Sequence, residues 1–242
     1  MSFPPGPVLA EAQAAAIDSE KASRRQRWFE VVLVAFLGFS GPLVRAIAQY
    51  KAGGAVAQYD YSRWLQITFH EIGVLLLLWY ILKRNGRTFR DIGFRWSAKD
   101  AAVGLLLFVI GYLAMMIGSV ILFFGYRAIF GADPPHIDAR QMFGHMPWWA
   151  LPFILMNPFF EELAVRAYLM TEICELTGSV WPAAIASLVL QTSYHIYYGW
   201  LGVLSVGIMF FVFTMYFALW RKAMPLVVAH GIDDLIGFIR LH

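Results

Sequence analysis

Residues 148–170 read WWALPFILMNPFFEELAVRAYLM, and the fold turns on how this stretch is taken. It is apolar over the length of a bilayer-spanning helix, about 20 residues. Yet it holds two adjacent carboxylates, Glu161 and Glu162, and one cation, Arg166. In a soluble protein it would be a core helix with an ion pair at its edge. The rest of the chain excludes that reading. Of its 242 residues 60% are hydrophobic and 14% charged, against about 45–50% and about 25% in a soluble domain. So few polar residues cannot clothe a core of this size, and the surplus apolar surface must face lipid. Nine Trp, twenty Phe and eleven Tyr agree, because aromatic rings anchor helix ends at membrane interfaces.

Outward from this stretch, further apolar segments occupy residues 28–43, 65–82, 101–124, 181–198, 201–220 and 225–239. The expected fold is all-α: a polytopic transmembrane helical bundle of seven spans. An eighth would come from residues 45–64 or from the splitting of a long span. Short loops make the last four segments antiparallel neighbours. Three regions are expected: a polar tail (1–27), N-terminal spans and loops (28–147), and a C-terminal core (148–242). No internal repeat is visible.

The tail ends in Lys21, Arg24, Arg25 and Arg27 without the small-residue cleavage site of a signal peptide. It is expected to be a cytoplasmic segment, disordered or a surface helix. Basic residues concentrate in cytoplasmic loops. With the N-terminus inside, twelve lie on the cytoplasmic side: the four tail residues, Lys83, Arg84, Arg87, Arg90, Arg95, Lys99, Arg221 and Lys222. Six lie opposite: Arg45, Lys51, Arg63, Arg127, Arg140 and Arg240. The asymmetry supports the span count. Net charge is only +3, which gives no reason to expect a nucleic acid partner. The one cysteine, Cys174, excludes an intrachain disulfide and reads as a small core residue.

Ionisable residues inside spans are costly, so each is a functional candidate. Glu162 and Arg166, four apart, share a helical face and can pair. Glu161 points about 100° away, an unpaired carboxylate suited to general base work. Pro152 and Pro158 interrupt the same segment, and a break at Asn157-Pro158 is expected just before Glu161. His195 ends the fifth segment. In the last, His230 and Asp234 share a face, with Asp233 within reach of the same histidine. His70 and Glu71 do not face each other and read as polar packing between helices. Glu30 reads as interfacial, and His136, His145 and His242 as loop or terminal residues.

The order Glu161-Glu162-x-x-x-Arg166, His195, His230-x-x-x-Asp234 resembles the three motifs of the CPBP family. This is the family of CAAX-type prenyl endopeptidases and bacterial Abi or bacteriocin-processing proteins. Residues 89–95, FRDIGFR, are similar to a basic stretch that often precedes the family's core. Gln191 stands where the second motif usually has Phe. The resemblance implies a membrane endopeptidase in which Glu161 and His195 activate a water. It implies that His230 and Asp234 stabilise the oxyanion, while Glu162 and Arg166 support them. It implies no cofactor, a peptide or protein substrate at the lipid bilayer, and the inner membrane of a prokaryote. An ionised Asp234 cannot donate a hydrogen bond, so it must carry a proton or act by orienting His230.

Two other readings use the same residues. Glu161 and two histidines can bind zinc, though a His-Glu-x-x-His helix is absent. Intramembrane Glu, Arg and His also occur in carriers, immunity proteins and scaffolds. The substrate and the oligomeric state are not legible.

Overall fold

The computed structural model describes residues 7–53, 60–134 and 144–242, with side chains from residue 21 onward. His136 and Arg140 lie outside the described residues. Those described are helical, with no strand among them. Helix α1 spans Pro7–Lys51, α2 Tyr61–Arg84 and α3 Ala98–Phe130. A short 3-10 turn, Trp148–Ala150, enters α4 (Leu151–Glu161). A π-helical stretch, Glu162–Met170, continues directly into α5 (Thr171–Thr177). Then come α6 (Val180–Ser193), a second 3-10 turn (Ile196–Tyr198), α7 (Gly199–Trp220) and α8 (Met224–Leu241).

Five of the seven apolar segments read from the sequence fall on single helices, whereas residues 148–170 run through a 3-10 turn, α4 and the π-helical stretch, and 181–198 outlasts α6, which ends at Ser193. Residues 45–51 extend α1, and α2 starts at Tyr61, so no separate helix forms from the described part of 45–64. Residues 7–27 are helical and continuous with the first span. The boundaries follow ordinary capping chemistry. Asp60 accepts from the backbone of Arg63 to start α2, and Ser97 with Asp100 forms a capping box at α3. Gly131 and Gly178, both left-handed, close α3 and α5.

Among the described residues, four helical segments are long and apolar enough to cross a membrane: Lys21–Lys51, Tyr61–Arg84, Ala98–Phe130 and Ile196–Trp220. Helix α3 shows what their surroundings must be. Only 11% of its most apolar window is buried, while Leu105, Leu106, Ile117, Val120 and Ile121 are exposed. In water that surface would be a liability; in lipid it is required. The inner side of α3 packs on α7 and α8. At Gly104 a Cβ would stand 2.6 Å from the Cβ of Val228 and 2.8 Å from the carbonyl of Pro225, so only glycine lets α3 and α8 touch there.

The run from α4 through α5 is different. All nine residues of the π-helical stretch are buried, wrapped by α1, α2, α6 and α7. The expected break at Pro158 does not occur. Pro152 falls at the helix start, where a missing N–H costs nothing. The helix passes through Pro158, which is buried against the neighbouring helices. The backbone departs from α geometry four residues later, at Glu162. π-turns are rare and concentrate at functional sites.

Basic residues from separate segments meet at one end of the bundle. Arg27 and Arg87 both bind Glu172 and Glu175, joining α1, the loop after α2, and α5. Arg24 donates to the carbonyl of Leu176 at 2.7 Å. Glu30 is buried at this end of the bundle, where Gln26 and Asn85 donate to it at 2.9 and 2.8 Å. The 85–97 loop docks on the α7–α8 turn, where Ala223 N–H donates to the carbonyl of Gly93 at 3.0 Å. In that loop Thr88 donates to Asp91 through its backbone N–H and its hydroxyl. These bonds hold the Asp91 carboxyl below the usual carboxylate range.

Candidate active site

A cavity of about 580 Å³ opens into the bundle between α1, α2, α3, α4, α7 and α8. Aromatic and apolar side chains such as Trp64, Phe153, Met209 and Phe210 make up much of its lining. Glu71, Asn157, Glu161, Tyr194, His195, His230, Asp233 and Asp234 also line it. Residues 73 positions apart in the chain, Glu161 and Asp234, thus face one space. The position of each follows from its helix. Glu161 ends α4, where the backbone passes into the π-turn. His195 follows the end of α6 and precedes the 3-10 turn. His230 and Asp234 lie one turn apart on α8.

Glu161 is held by neutral donors. Its Oε2 accepts from Gln191 Nε2 at 2.5 Å and from the hydroxyl of Tyr194 at 2.8 Å. Glu162 points the other way and is fully buried. Its Oε1 takes Arg166 Nη1 at 3.0 Å and His230 Nδ1 at 2.9 Å. Arg166 is fully buried as well, donates to Gln191 Oε1 at 2.7 Å, and lies over the ring of Phe210 at 5.1 Å. Arg166, Gln191 and Glu161 therefore form one chain of contacts from the cation to the carboxylate.

The two histidines are oriented alike. His195 Nδ1 is 2.7 Å from the carbonyl of Gln191. A carbonyl only accepts, so this nitrogen carries the hydrogen, and Nε2 is the other available nitrogen. His230 gives Nδ1 to Glu162, and its Nε2 stands 3.9 Å from Glu161 Oε2 and 3.8 Å from Asp234 Oδ1.

Asn157 completes the arrangement. With its amide nitrogen facing the glutamates, it donates to Glu71 Oε1 at 3.1 Å and to Glu161 Oε1 at 3.2 Å. The opposite orientation would set the amide oxygen against two carboxylates. The donating one leaves that oxygen 3.4 Å from Asp234 Oδ2. Two acceptors do not bond, so this contact is a hydrogen bond only when Asp234 is protonated.

The structure thus brings Glu161, His195, His230 and Asp234 to one cavity, sets Glu162 and Arg166 behind it, and adds four residues that sequence reasoning did not assign to a site. Gln191 was visible as a polar residue in an apolar helix, in a place where Phe is usual. Tyr194 gave no signal. Asn157 was noticed only as the partner of Pro158. Glu71 had been read as packing. It is a polar contact between helices, as expected, but the contact lies inside the cavity. His70 lines the cavity too, with Nε2 donating to the carbonyl of Gly38 at 3.0 Å. Among the described residues, no group of three or more His, Cys, Asp and Glu side chains is arranged to hold a metal ion.

Fold and site define a class: a helical membrane protein with a carboxylate–histidine cluster enclosed in its bundle. Residues 143–236 match the family model of Rce1-like type II CAAX prenyl endopeptidases, and this segment is a domain of that family. The family implies protease activity at a membrane. No curated protein matches the chain. No solved structure matches it either.

Proposed function

We propose that this protein is an intramembrane endopeptidase that hydrolyses a peptide bond in a membrane-associated substrate without a cofactor. The observation that carries the reading is the convergence of Glu161, His195 and His230 Nε2 on one cavity in an apolar bundle, within the family-matched segment. His195 Nε2 and Glu161 hold one water. Glu161 takes a proton from it as the oxygen attacks the carbonyl carbon. His230 and Asp234 face the developing oxyanion, His230 as an imidazolium with Nε2–H and Asp234 in its protonated form. Preorganised donors of this kind each contribute about 2.7–4 kcal/mol in known cases. The tetrahedral intermediate collapses, the C–N bond breaks, and Glu161 returns the proton to the leaving amine. The second water proton leaves the new carboxyl for the amine, so the products are a carboxylate and an ammonium terminus.

Glu162 and Arg166 hold His230 and Gln191 rather than touching substrate. Residues 148–242 form the catalytic core, residues 28–147 the supporting spans, and residues 1–27 a cytoplasmic tail. The host membrane is a prokaryotic inner membrane. A substrate reaches the cavity from the bilayer or its surface.

The test compares peptide termini in membranes that hold the wild-type protein with those that hold Glu161→Ala or His195→Ala. A set of termini should vanish in both variants. If both retain every terminus, the endopeptidase reading fails. Strong chelators should leave those termini unchanged, whereas loss on chelation with recovery on zinc would favour a metal-bound water.

A further inference from the structure

Glu71 lies on α2, far outside the family-matched segment, yet it is only 3% exposed and lines the cavity with Glu161. Among the described residues its Oε2 has no hydrogen-bond partner. A buried carboxylate so sparsely bonded is costly. Its other oxygen, Oε1, accepts from Asn157, the residue that also donates to Glu161.

The two oxygens of Glu161 are not equivalent. A carboxylate oxygen has two lone-pair sites. Those of Oε2 are occupied by Gln191 and Tyr194. Among the described residues Oε1 receives Asn157 alone, which leaves one of its two lone-pair sites open. An amide can be turned end for end, and the reversed Asn157 would direct its oxygen at Oε1 instead of a donor. Glu71 Oε1, 3.1 Å from the same nitrogen, opposes that reversal.

We infer that Glu71 is a positioning residue of the site: it fixes the amide of Asn157, and Asn157 presents Oε1 of Glu161 as the oxygen that takes the proton from water. This rests on the endopeptidase reading above. It also ties the N-terminal spans to the chemistry, since α2 supplies a group that the family-matched segment lacks. Asn157 links carboxylates from three helices, with Glu71 and Glu161 on its nitrogen and Asp234 facing its oxygen.

The experiment uses the full-length protein in lipid nanodiscs. Its probe is a synthetic peptide spanning a cleavage site whose termini vanish in Glu161→Ala membranes. A misplacement of about 1 Å in a catalytic group can cost about 10²-fold. Asn157→Leu and Glu71→Leu should therefore lower kcat by about tenfold to a hundredfold with KM nearly unchanged. Glu71→Gln keeps an acceptor oxygen for Asn157 and should stay within about threefold of wild type. Infrared difference spectra supply a readout independent of turnover. The Glu161 carboxylate band, assigned by its loss in Glu161→Gln, should shift in both Leu variants and stay in place in Glu71→Gln. Should Glu71→Leu fail to fold, Asn157→Leu and Glu71→Gln decide. Wild-type kcat and an unmoved band in Asn157→Leu would overturn the inference while leaving the peptidase reading intact. Termini unchanged in Glu161→Ala would remove that reading, and the inference with it.

Discussion

Two groups of carboxylates and arginines sit about ten residues apart on one continuous helical run, and they behave differently. At the bundle end, Glu172 and Glu175 meet Arg27 and Arg87, two anions with two cations. Water reaches this group: the side chains of Arg27, Arg87 and Glu175 are 28%, 20% and 41% exposed. In the middle of the bundle, Glu161 and Glu162 meet one arginine, Arg166, which with Glu162 is wholly enclosed. Here the charges do not cancel by pairs. Glu162 takes Arg166 and His230, while among the described residues the hydrogen bonds to Glu161 come from neutral donors, with His230 Nε2 farther off at 3.9 Å. The balanced group fastens α1, the α2 loop and α5. The unbalanced one keeps a carboxylate in reserve beside two histidines, which is what proton transfer requires.

Changes in either group can break this contrast. The largest effect falls on Glu161. General base catalysis contributes about 10²–10⁴-fold, so Glu161→Ala should abolish measurable turnover while its thermal midpoint stays near wild type. A large drop in midpoint would make Glu161 a structural residue like those at the bundle end. Next comes Arg166→Leu, which strands Glu162. Removing one partner of a buried pair costs about 3–5 kcal/mol, visible as a lower unfolding midpoint in nanodiscs. A midpoint equal to wild type would show that Glu162 is not buried as a charge.

Gln191→Phe restores the residue usual in the second motif and removes a donor to Glu161 and an acceptor for Arg166. Stranding buried polar groups costs about 1–3 kcal/mol, and turnover should fall with stability. A Phe variant as active as wild type would show that Glu161 needs no help from α6. The smallest effect is at the bundle end. Glu175→Gln removes an exposed partner, which costs about 0.2–1 kcal/mol, and turnover should not change. A loss of turnover there would mean that the two groups are coupled along the α4–α5 run.

Much of the fold was open to reading because lipid imposes simple rules. A span must be apolar for about 20 residues; five of the seven expected segments lie on single helices, and among the described residues four helical segments are long and apolar enough to cross. Charge in a span is costly enough to stand out, which is why Glu161, Glu162, Arg166, His195, His230 and Asp234 could be picked out. The prolines misled, because a missing N–H says that strain exists but not where the backbone releases it. Glu71 misled for a related reason: one buried carboxylate on α2 is as compatible with packing as with a site until its neighbours are known.

The chain alone settled that this is a helical membrane protein, since its composition leaves no other solvent for its surface, and motif order along the C-terminal core named the family. Tertiary structure alone decided which carboxylate is free. Adjacent glutamates are chemically identical in sequence. They differ only because Arg166 and His230 reach Glu162, while Gln191, Tyr194 and Asn157 reach Glu161. Hydrogen bonding acts over about 3 Å, and residues 30 to 68 positions apart come within that range only when the helices pack.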